Sequence, residues 1–475
     1  MTVNSRRSNS GLRKECLSFP EILAQSLGNI APSGMVAVTI PLVFASAGNG
    51  TWLAYLIATI GLALVSLNIN QFARNSAAPG ALYSYVAKGL GLTAGVLSGW
   101  ALILAYLFTA MTVLGGFSIY MDVVLAGFGI HAAPIFLFAI CAGLAWYYAY
   151  SDVQLSTVTM LILEVSSIGL ILLLTVIVLF KQGFTIDTSQ LALEGVSFEG
   201  LRLGLVLAIF SYVGFESATT MGDEAKNPLR SIPRAVIWST VLSGLCYVLL
   251  SYTEVIGFRG HETPFDKVAT PLSLLASLAG VGGLGAIISI GVTISFFTCC
   301  LASISAGARI FFAMARHGLF HSSVGEAHED NETPHIAVTL CSVFVFVVPA
   351  SISMFGIPVL DIYGYLGSIA AYGFLLVYIL VSIAAPVYLQ KQGKLNIGNM
   401  AIALLAILFM LVPVIGSVYP VPAFPYNVFP YLFLLYLVVG GGWFLMLRLR
   451  SPETIEEIEH DLELIHGRFE KPEVS

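Results

Sequence analysis

Two acids fall in the middle of long apolar stretches of the chain. Glu216 sits in the run Phe210-Ser-Tyr-Val-Gly-Phe-Glu-Ser217, and Glu164 lies in an apolar stretch between 155 and 180. A charge inside a bilayer costs about 2.5 to 3.5 kcal/mol even on the lenient insertion scale, so a chain keeps one mainly where it lines a cavity or a substrate path. Such a carboxyl can relay a proton or satisfy backbone N–H groups that have lost their helical partners. Both readings of Glu216 stand, separately or together. For Glu164 the choice is between ion coupling and a buried carboxyl paired to a hydroxyl such as Ser166 or Ser167.

A second kind of chemistry comes from the backbone. The stretch Gly28-Asn-Ile-Ala-Pro-Ser-Gly34 lies inside an apolar segment. Pro32 has no N–H and pushes Ala31 toward an extended shape, while Gly28 and Gly34 permit unusual backbone angles. Gly214 plays the same part beside Glu216. An unwound helix exposes N–H and C=O groups that a polar solute can use.

These residues need membrane helices to hold them. The chain has 475 residues, 57% of them hydrophobic and 10% charged. Mean hydropathy is +0.89. A soluble domain carries about 25% charged residues, so the composition describes a polytopic membrane protein. A span needs about 20 apolar residues. Twelve are expected, at 19–45, 52–73, 92–127, 133–150, 155–180, 201–222, 233–257, 273–314, 335–355, 360–389, 398–418 and 425–447. The third and eighth are long enough to include short surface helices. No cleavable signal peptide is expected, since the basic start lacks a short apolar stretch with a cleavage site.

With the N-terminus inside, 17 of the 21 Lys and Arg residues fall on the cytoplasmic side. This fits the positive-inside rule with both termini cytoplasmic. The interrupted spans are the first and the sixth, the opening members of successive blocks of five. Breaks at matching places in two halves point to an inverted-repeat transporter and to its binding site.

Here the sequence resembles the amino acid–polyamine–organocation family. The resemblance rests on Gly214-Phe-Glu-Ser217, Glu224-Ala-Lys-Asn-Pro228 and Ile232-Pro-Arg234, with Gly28-Asn-Ile30 and Ser33-Gly34 in the first span. Pro79-Gly-Ala-Leu-Tyr-Ser-Tyr85, Gly99-Trp100 and Arg309-Ile-Phe-Phe-Ala-Met-Ala-Arg-His-Gly-Leu-Phe320 are also similar to that family's motifs. The likeness runs from about residue 19 to 450. It implies an all-α fold of 12 transmembrane helices, a LeuT-like 5+5 inverted repeat with discontinuous helices 1 and 6. Helices 1, 2, 6 and 7 would rock against 3, 4, 8 and 9. It also implies substrates with an α-amino group, usually amino acids and sometimes polyamines.

On this reading the freed N–H groups of Ser33, Gly34 and Met35 hold a carboxylate, helped by the positive end of the following half-helix. The carbonyls of Ile30, Phe210, Ser211 and Val213, beside Gly214, accept from an ammonium group. The resemblance carries over Ile30, Ser33, Gly34, Phe210 and Val213 for these tasks. Phe210 is expected as an aromatic lid, and Tyr85 and Tyr212 as structural hydroxyls. Some proton-coupled relatives place a lysine on the fifth helix, but no Lys lies between 155 and 180, where Glu164 and Ser167 fall instead. Coupling to a proton through Glu216 or Glu164, to sodium through Thr298 or Ser303, and exchange without an ion all stay open.

The net charge of −6 belongs to the tail, since 451–475 holds eight acids and two bases. It therefore gives no reason to expect a nucleic-acid partner. The six cysteines read as packing residues without a disulfide framework or metal site. Neither Asn49-Gly-Thr51 nor the histidines at 317, 321, 328 and 335 make a convincing glycan or metal signal. From Ser451, Ile455, Ile458, Leu462 and Ile465 form one apolar stripe of a helical tail.

The expected domains are a cytoplasmic segment (1–18), a ten-helix transport core (19–390), two further helices (391–450) and an acidic cytoplasmic tail (451–475). The expected function is a plasma-membrane permease carrying amino acids by alternating access, with lipid as its surroundings and no cofactor. The alternatives of the same fold are a polyamine or organic-amine carrier and an amino acid exchanger. A channel or a membrane enzyme would need filter-like repeats or clustered His, Asp or Glu, which the spans lack.

Overall fold

A computed structural model describes residues 11–76, 80, 82–268, 270–453, 455–456 and 458–460. The described secondary structure is helical, apart from one isolated parallel bridge between Leu17 and Ala225. In chain order the helices are α1 (Phe19–Ile30), α2 (Pro32–Ala47), α3 (Thr51–Ala73), α4 (Leu82–Leu90), α5 (Leu92–Ala126), α6 (Pro134–Ser151), α7 (Val153–Lys181) and α8 (Thr188–Leu191). They continue as α9 (Phe198–Phe210), α10 (Pro228–Gly257), α11 (Pro271–Leu278), α12 (Gly282–Arg316), α13 (His335–Met354), α14 (Val359–Lys391), α15 (Ile397–Gly416) and α16 (Phe429–Arg450).

Ten stretches among the described residues are long and apolar enough to cross a membrane, against the twelve expected. Two local features account for the difference. The first stretch, 55 residues from Phe19 to Ala73, contains α1, α2 and α3. The stretch expected at 201–222 is only half helix: α9 has 13 residues, a turn follows, and a 3-10 helix runs from Ser217 to Met221. The expected eighth span divides into α11 and α12, whereas the third is one continuous helix. Pro79 and Ala81 of the second-loop motif lie outside the described residues, as do residues 1–10, Leu462 and Ile465. Ile455 and Ile458 of the expected tail stripe are buried.

The packing repeats with a period of five spans. α2 packs on α9, α3 on α10, α5 on α12 and α6 on α13. The α1–α10 contact is mirrored by α9–α3, and α5–α14 by α12–α7. This is the pairing a duplicated five-helix unit produces. Small residues let the backbones approach, as membrane helices require. A side chain at Gly373 would meet the Ala101 carbonyl at 2.6 Å, and one at Gly89 would meet the Ala384 carbonyl at 2.8 Å. The outer faces are greasy: Ile162, Val165, Leu173, Leu404, Leu408, Leu435 and Val438 are all exposed. An apolar surface of this kind belongs in lipid.

One end of the bundle is latched. The Leu17 N–H donates to the Glu224 carbonyl at 2.9 Å, and Lys226 N–H returns a bond to the Leu17 carbonyl at 2.9 Å. Arg309 of α12 reaches Glu224 Oε1 through Nε (3.0 Å) and Nη2 (2.7 Å), with both residues buried. Burial lifts the Glu224 carboxyl above its ordinary range, and the Arg309 charge opposes that rise. Arg13 pairs with Asp152 at 2.6 Å on the same face.

Removing one partner of a buried pair leaves an uncompensated charge, at about 3–5 kcal/mol. Arg309→Ala is therefore expected to lower the unfolding temperature in detergent strongly. The double change Arg309→Met with Glu224→Gln should cost less than Arg309→Ala alone. Equal losses would show that the pair's charge is not what destabilises the single variant.

Candidate substrate site at the two helix breaks

The first break is one residue long. Ala31 takes left-handed angles (φ 48°, ψ 61°) between α1 and α2, and Pro32 opens α2. A left-handed non-glycine residue costs about 1–2 kcal/mol, which the surroundings must offset. They do so with a carboxylate. The Ser33 N–H and hydroxyl both donate to Glu164 Oε1 at 3.3 Å. Ser295 donates to the same oxygen at 3.0 Å, and Thr298 donates to Oε2 at 3.0 Å. The Gly34 N–H donates to the Ser295 hydroxyl at 3.2 Å, and Met35 N–H to the Ala31 carbonyl at 3.0 Å. Glu164, 3% exposed, thus caps the positive end of α2 from α7. It pairs with hydroxyls of α2 and α12, not with Ser166 or Ser167.

Directing the Ser33 and Gly34 N–H groups sideways releases the carbonyls of Asn29 and Ile30 from the helical ladder. The Asn29 carbonyl accepts from Cys299 Sγ at 3.0 Å, and the Asn29 side chain accepts from Ser303 at 2.5 Å. The same side chain presses on the second break. A Cβ added at Gly214 would collide with the Asn29 amide, and Gly214 also has φ +95°. Only glycine meets both conditions.

Beyond Phe210 the backbone tightens into short turns. Ser211, Tyr212 and Val213 donate to the carbonyls of Ala208, Ile209 and Phe210. The Ser211 carbonyl accepts from Tyr247 at 2.8 Å. The Gly214 N–H donates to the Tyr378 hydroxyl at 3.4 Å. The Val213 carbonyl has no hydrogen bond among the described residues. Glu216 is fully buried and clasped by two tyrosines, Tyr106 of α5 at 2.7 Å and Tyr378 of α14 at 2.6 Å. The lower halves are also joined: Ser217 donates to the Gln25 carbonyl at 3.1 Å, and Ala218 N–H to Ser26 at 3.0 Å.

A cavity of about 390 Å³ lies against the second break. Phe210 and Val213 line it with Thr39 and Leu42 of α2, Tyr363, Gly367 and Tyr378 of α14, and Pro413 of α15. None of its lining residues is charged. The Phe210 ring reaches across to α14, within 3.0 Å of where a Gly367 side chain would begin. The cavity extends to Pro422 and Tyr426, at the end of α2 remote from the Leu17 latch.

Of the expected binding residues, Phe210 and Val213 line this cavity; Ser211 and Gly214 of the second break and Ile30, Ser33, Gly34 and Met35 of the first are not among its lining residues. A side chain at Gly34 would meet the Phe296 ring at 2.8 Å, so an aromatic ring covers that glycine. Thr298 and Ser303 are engaged by Glu164 and Asn29, and the Ser167 hydroxyl has no partner among the described residues. Tyr212 and Tyr85 are helix-end hydroxyls, bonded to the carbonyls of Tyr55 and Ser76. Sequence reading missed the contributions of Asn29, Ser295, Tyr106 and Tyr378. It also missed Glu254, buried near the end of α10 with neither carboxylate oxygen hydrogen-bonded among the described residues. Its charge inside an apolar span was the available signal.

Comparison with known proteins gives a family model described as amino acid permease, matching residues 21–450. A branched-chain amino acid permease, BcaP of Bacillus subtilis, is 25% identical over 83% of this chain and 84% of its own. The methylthioribose transporter of Bacillus subtilis is 24% identical over 83% and 85%. The low-affinity putrescine importer PlaP of Escherichia coli is 25% identical over 60% and 64%.

Gly214→Ala must push Asn29 aside and strain the backbone, so it should lower the unfolding temperature and transport together. Gly169 has open space at its Cβ position and lies within α7. Gly169→Ala is expected to be neutral or stabilising by about 0.5–1 kcal/mol. Equal effects of the two in a thermal unfolding series would contradict the Asn29–Gly214 contact.

Proposed function

The chain belongs to the amino acid permease family, and from that membership, from two helix breaks joined by the Asn29–Gly214 contact and from a cavity set against the second of them we propose a carrier that works by alternating access. It is a transporter of amino acids or organic amines. In the proposed cycle the ammonium of the substrate rests at the break of α9, against the Val213 carbonyl and the Tyr378 hydroxyl. Glu216 lies directly behind Tyr378 and supplies negative charge. Ser211 and Gly214 shape that turn, and Ile30, Ser33, Gly34 and Met35 form the first break, which the Asn29–Gly214 contact joins to it.

The observation that carries this reading is the placement of Phe210 and Val213 on a cavity walled also by α2, α14 and α15. A substrate there would press on the second break directly and on the first through the Asn29–Gly214 contact. The Leu17–Glu224–Arg309 latch closes the far end, as alternating access requires of one conformation. For the membrane we propose twelve crossings, with the α1–α3 stretch making two, the α9 and 3-10 stretch making one, and both termini cytoplasmic. Residues 19–390 form the transport core and 391–450 two accessory helices.

Thr298 and Ser303 donate to Glu164 and Asn29, and a hydroxyl that donates keeps its lone pairs for a cation. Sodium at those oxygens, a proton on Glu216 or Glu164, and simple exchange therefore all fit the site.

Counterflow into proteoliposomes tests the reading, with protein-free vesicles as blanks and a panel of amino acids, putrescine and methylthioribose. Accumulation of at least one amino acid or amine is expected; none, in vesicles holding folded protein, would sink the carrier. Phe210→Ala removes a half-buried aromatic wall of the cavity and should raise the half-saturating concentration about tenfold, roughly 1.4 kcal/mol of contact. An unchanged value would remove Phe210 from the site.

A further inference from the structure

We infer that the substrate is an amine with one cationic head, an apolar body and no carboxylate, because Glu164 already occupies the place a substrate carboxylate would take. This rests on the carrier reading above and narrows its substrate class.

A substrate carboxylate would need the donors at the start of α2. Pro32 offers none. The Ser33 N–H and hydroxyl, Ser295 and Thr298 all converge on the two oxygens of Glu164, at 3.0–3.3 Å. The Gly34 N–H is spent on Ser295, and the Met35 N–H on the Ala31 carbonyl. Every N–H of this first turn is committed. A second carboxylate beside the first would meet like charge in a medium of low dielectric. Displacing Glu164 would leave a carboxylate that is 3% exposed without its four hydrogen bonds, which is costlier still.

The cavity offers no other home for an anion, since no Lys, Arg or His lines it. Only one lining group is backed by a carboxyl: Tyr378, near Val213, donates to Glu216, while the other polar lining side chains, Thr39, Tyr363, Ser368, Tyr372, Ser417 and Tyr426, are neutral hydroxyls. That position suits one ammonium group. The other walls mix those hydroxyls with apolar side chains such as Leu42, Val206, Phe210, Phe374 and Pro413, which suit hydrocarbon, and they supply no second acid for a diamine.

Matched pairs that differ only by the carboxylate provide the test. Binding to the full chain in detergent is measured by calorimetry for leucine and isopentylamine, phenylalanine and phenethylamine, and ornithine and putrescine. The monoamines should bind at least about tenfold tighter than their parent amino acids and tighter than putrescine, as expected when a fixed charge disfavours one partner. Glu164→Gln, which keeps the shape and removes the charge, should move the amine-to-amino-acid ratio about tenfold toward the amino acids. Leucine or phenylalanine binding as tightly as its amine in the unaltered chain overturns the inference while leaving the carrier intact. Putrescine binding tightest overturns the single-head assignment. Failure of all six to bind folded protein that also fails in counterflow brings down the carrier reading itself. A Glu164→Gln protein that binds normally with an unchanged ratio removes Glu164 as the determinant.

Discussion

A helix that breaks inside hydrocarbon must find new partners for every backbone group it releases. This one requirement organises the centre of the molecule. Ala31 ends α1 and frees the N–H groups of Ser33 and Gly34; Gly214 does the equivalent past the end of α9. Three side chains answer: Glu164 from α7, Asn29 from α1 itself, and Glu216 from within the second break. Each is buried, and each ties a broken segment to helices elsewhere in the chain. Ser295, Thr298 and Ser303 of α12, Tyr106 of α5 and Tyr378 of α14 complete these ties.

The arrangement explains why so polar a centre persists in so apolar a chain. A buried carboxylate is tolerable when hydrogen bonds replace its water. Glu164 receives four and Glu216 two from tyrosines. The same bonds make the breaks responsive. Asn29 touches both breaks and α12, so a solute that shifts one segment acts on the other through a direct contact. At the far end Leu17 ties the segment before α1 to the loop after the second break, and the Arg309–Glu224 pair ties α12 to the same loop. The cavity and the latch therefore act on opposite ends of the same two segments.

The positions of the breaks were legible from Pro32 and Gly214, but their shape was not: Ala31 is left-handed where an extended residue was expected, and Gly28 and Gly34 stay in helix without positive φ. The acidity at 216 and 164 was legible because charge in a span is costly. What fills the breaks was not. Ser33 and Glu164 are 131 residues apart, and Asn29 and Ser303 are 274 apart; nothing local records such a pairing. Where Glu164 is paired, Ser166 or Ser167 was the expected hydroxyl, yet helix geometry turns it toward Ser33 of α2 and Ser295 and Thr298 of α12. Phe210 was expected near the substrate from its motif, but only the fold shows its ring against Gly367. The twelve spans were read from hydropathy, which sees apolar length and is blind to a helix that stops at Phe210 and resumes as 3-10 turns.

The central claim is that both breaks respond to one bound solute. Hydrogen–deuterium exchange in nanodiscs reads this directly, with and without a saturating solute identified by counterflow. The account predicts that exchange changes at the amides of 33–35 and of 211–217 together, with the outer faces of α15 and α16 unaffected. Saturating solute that leaves both break segments unchanged would contradict it.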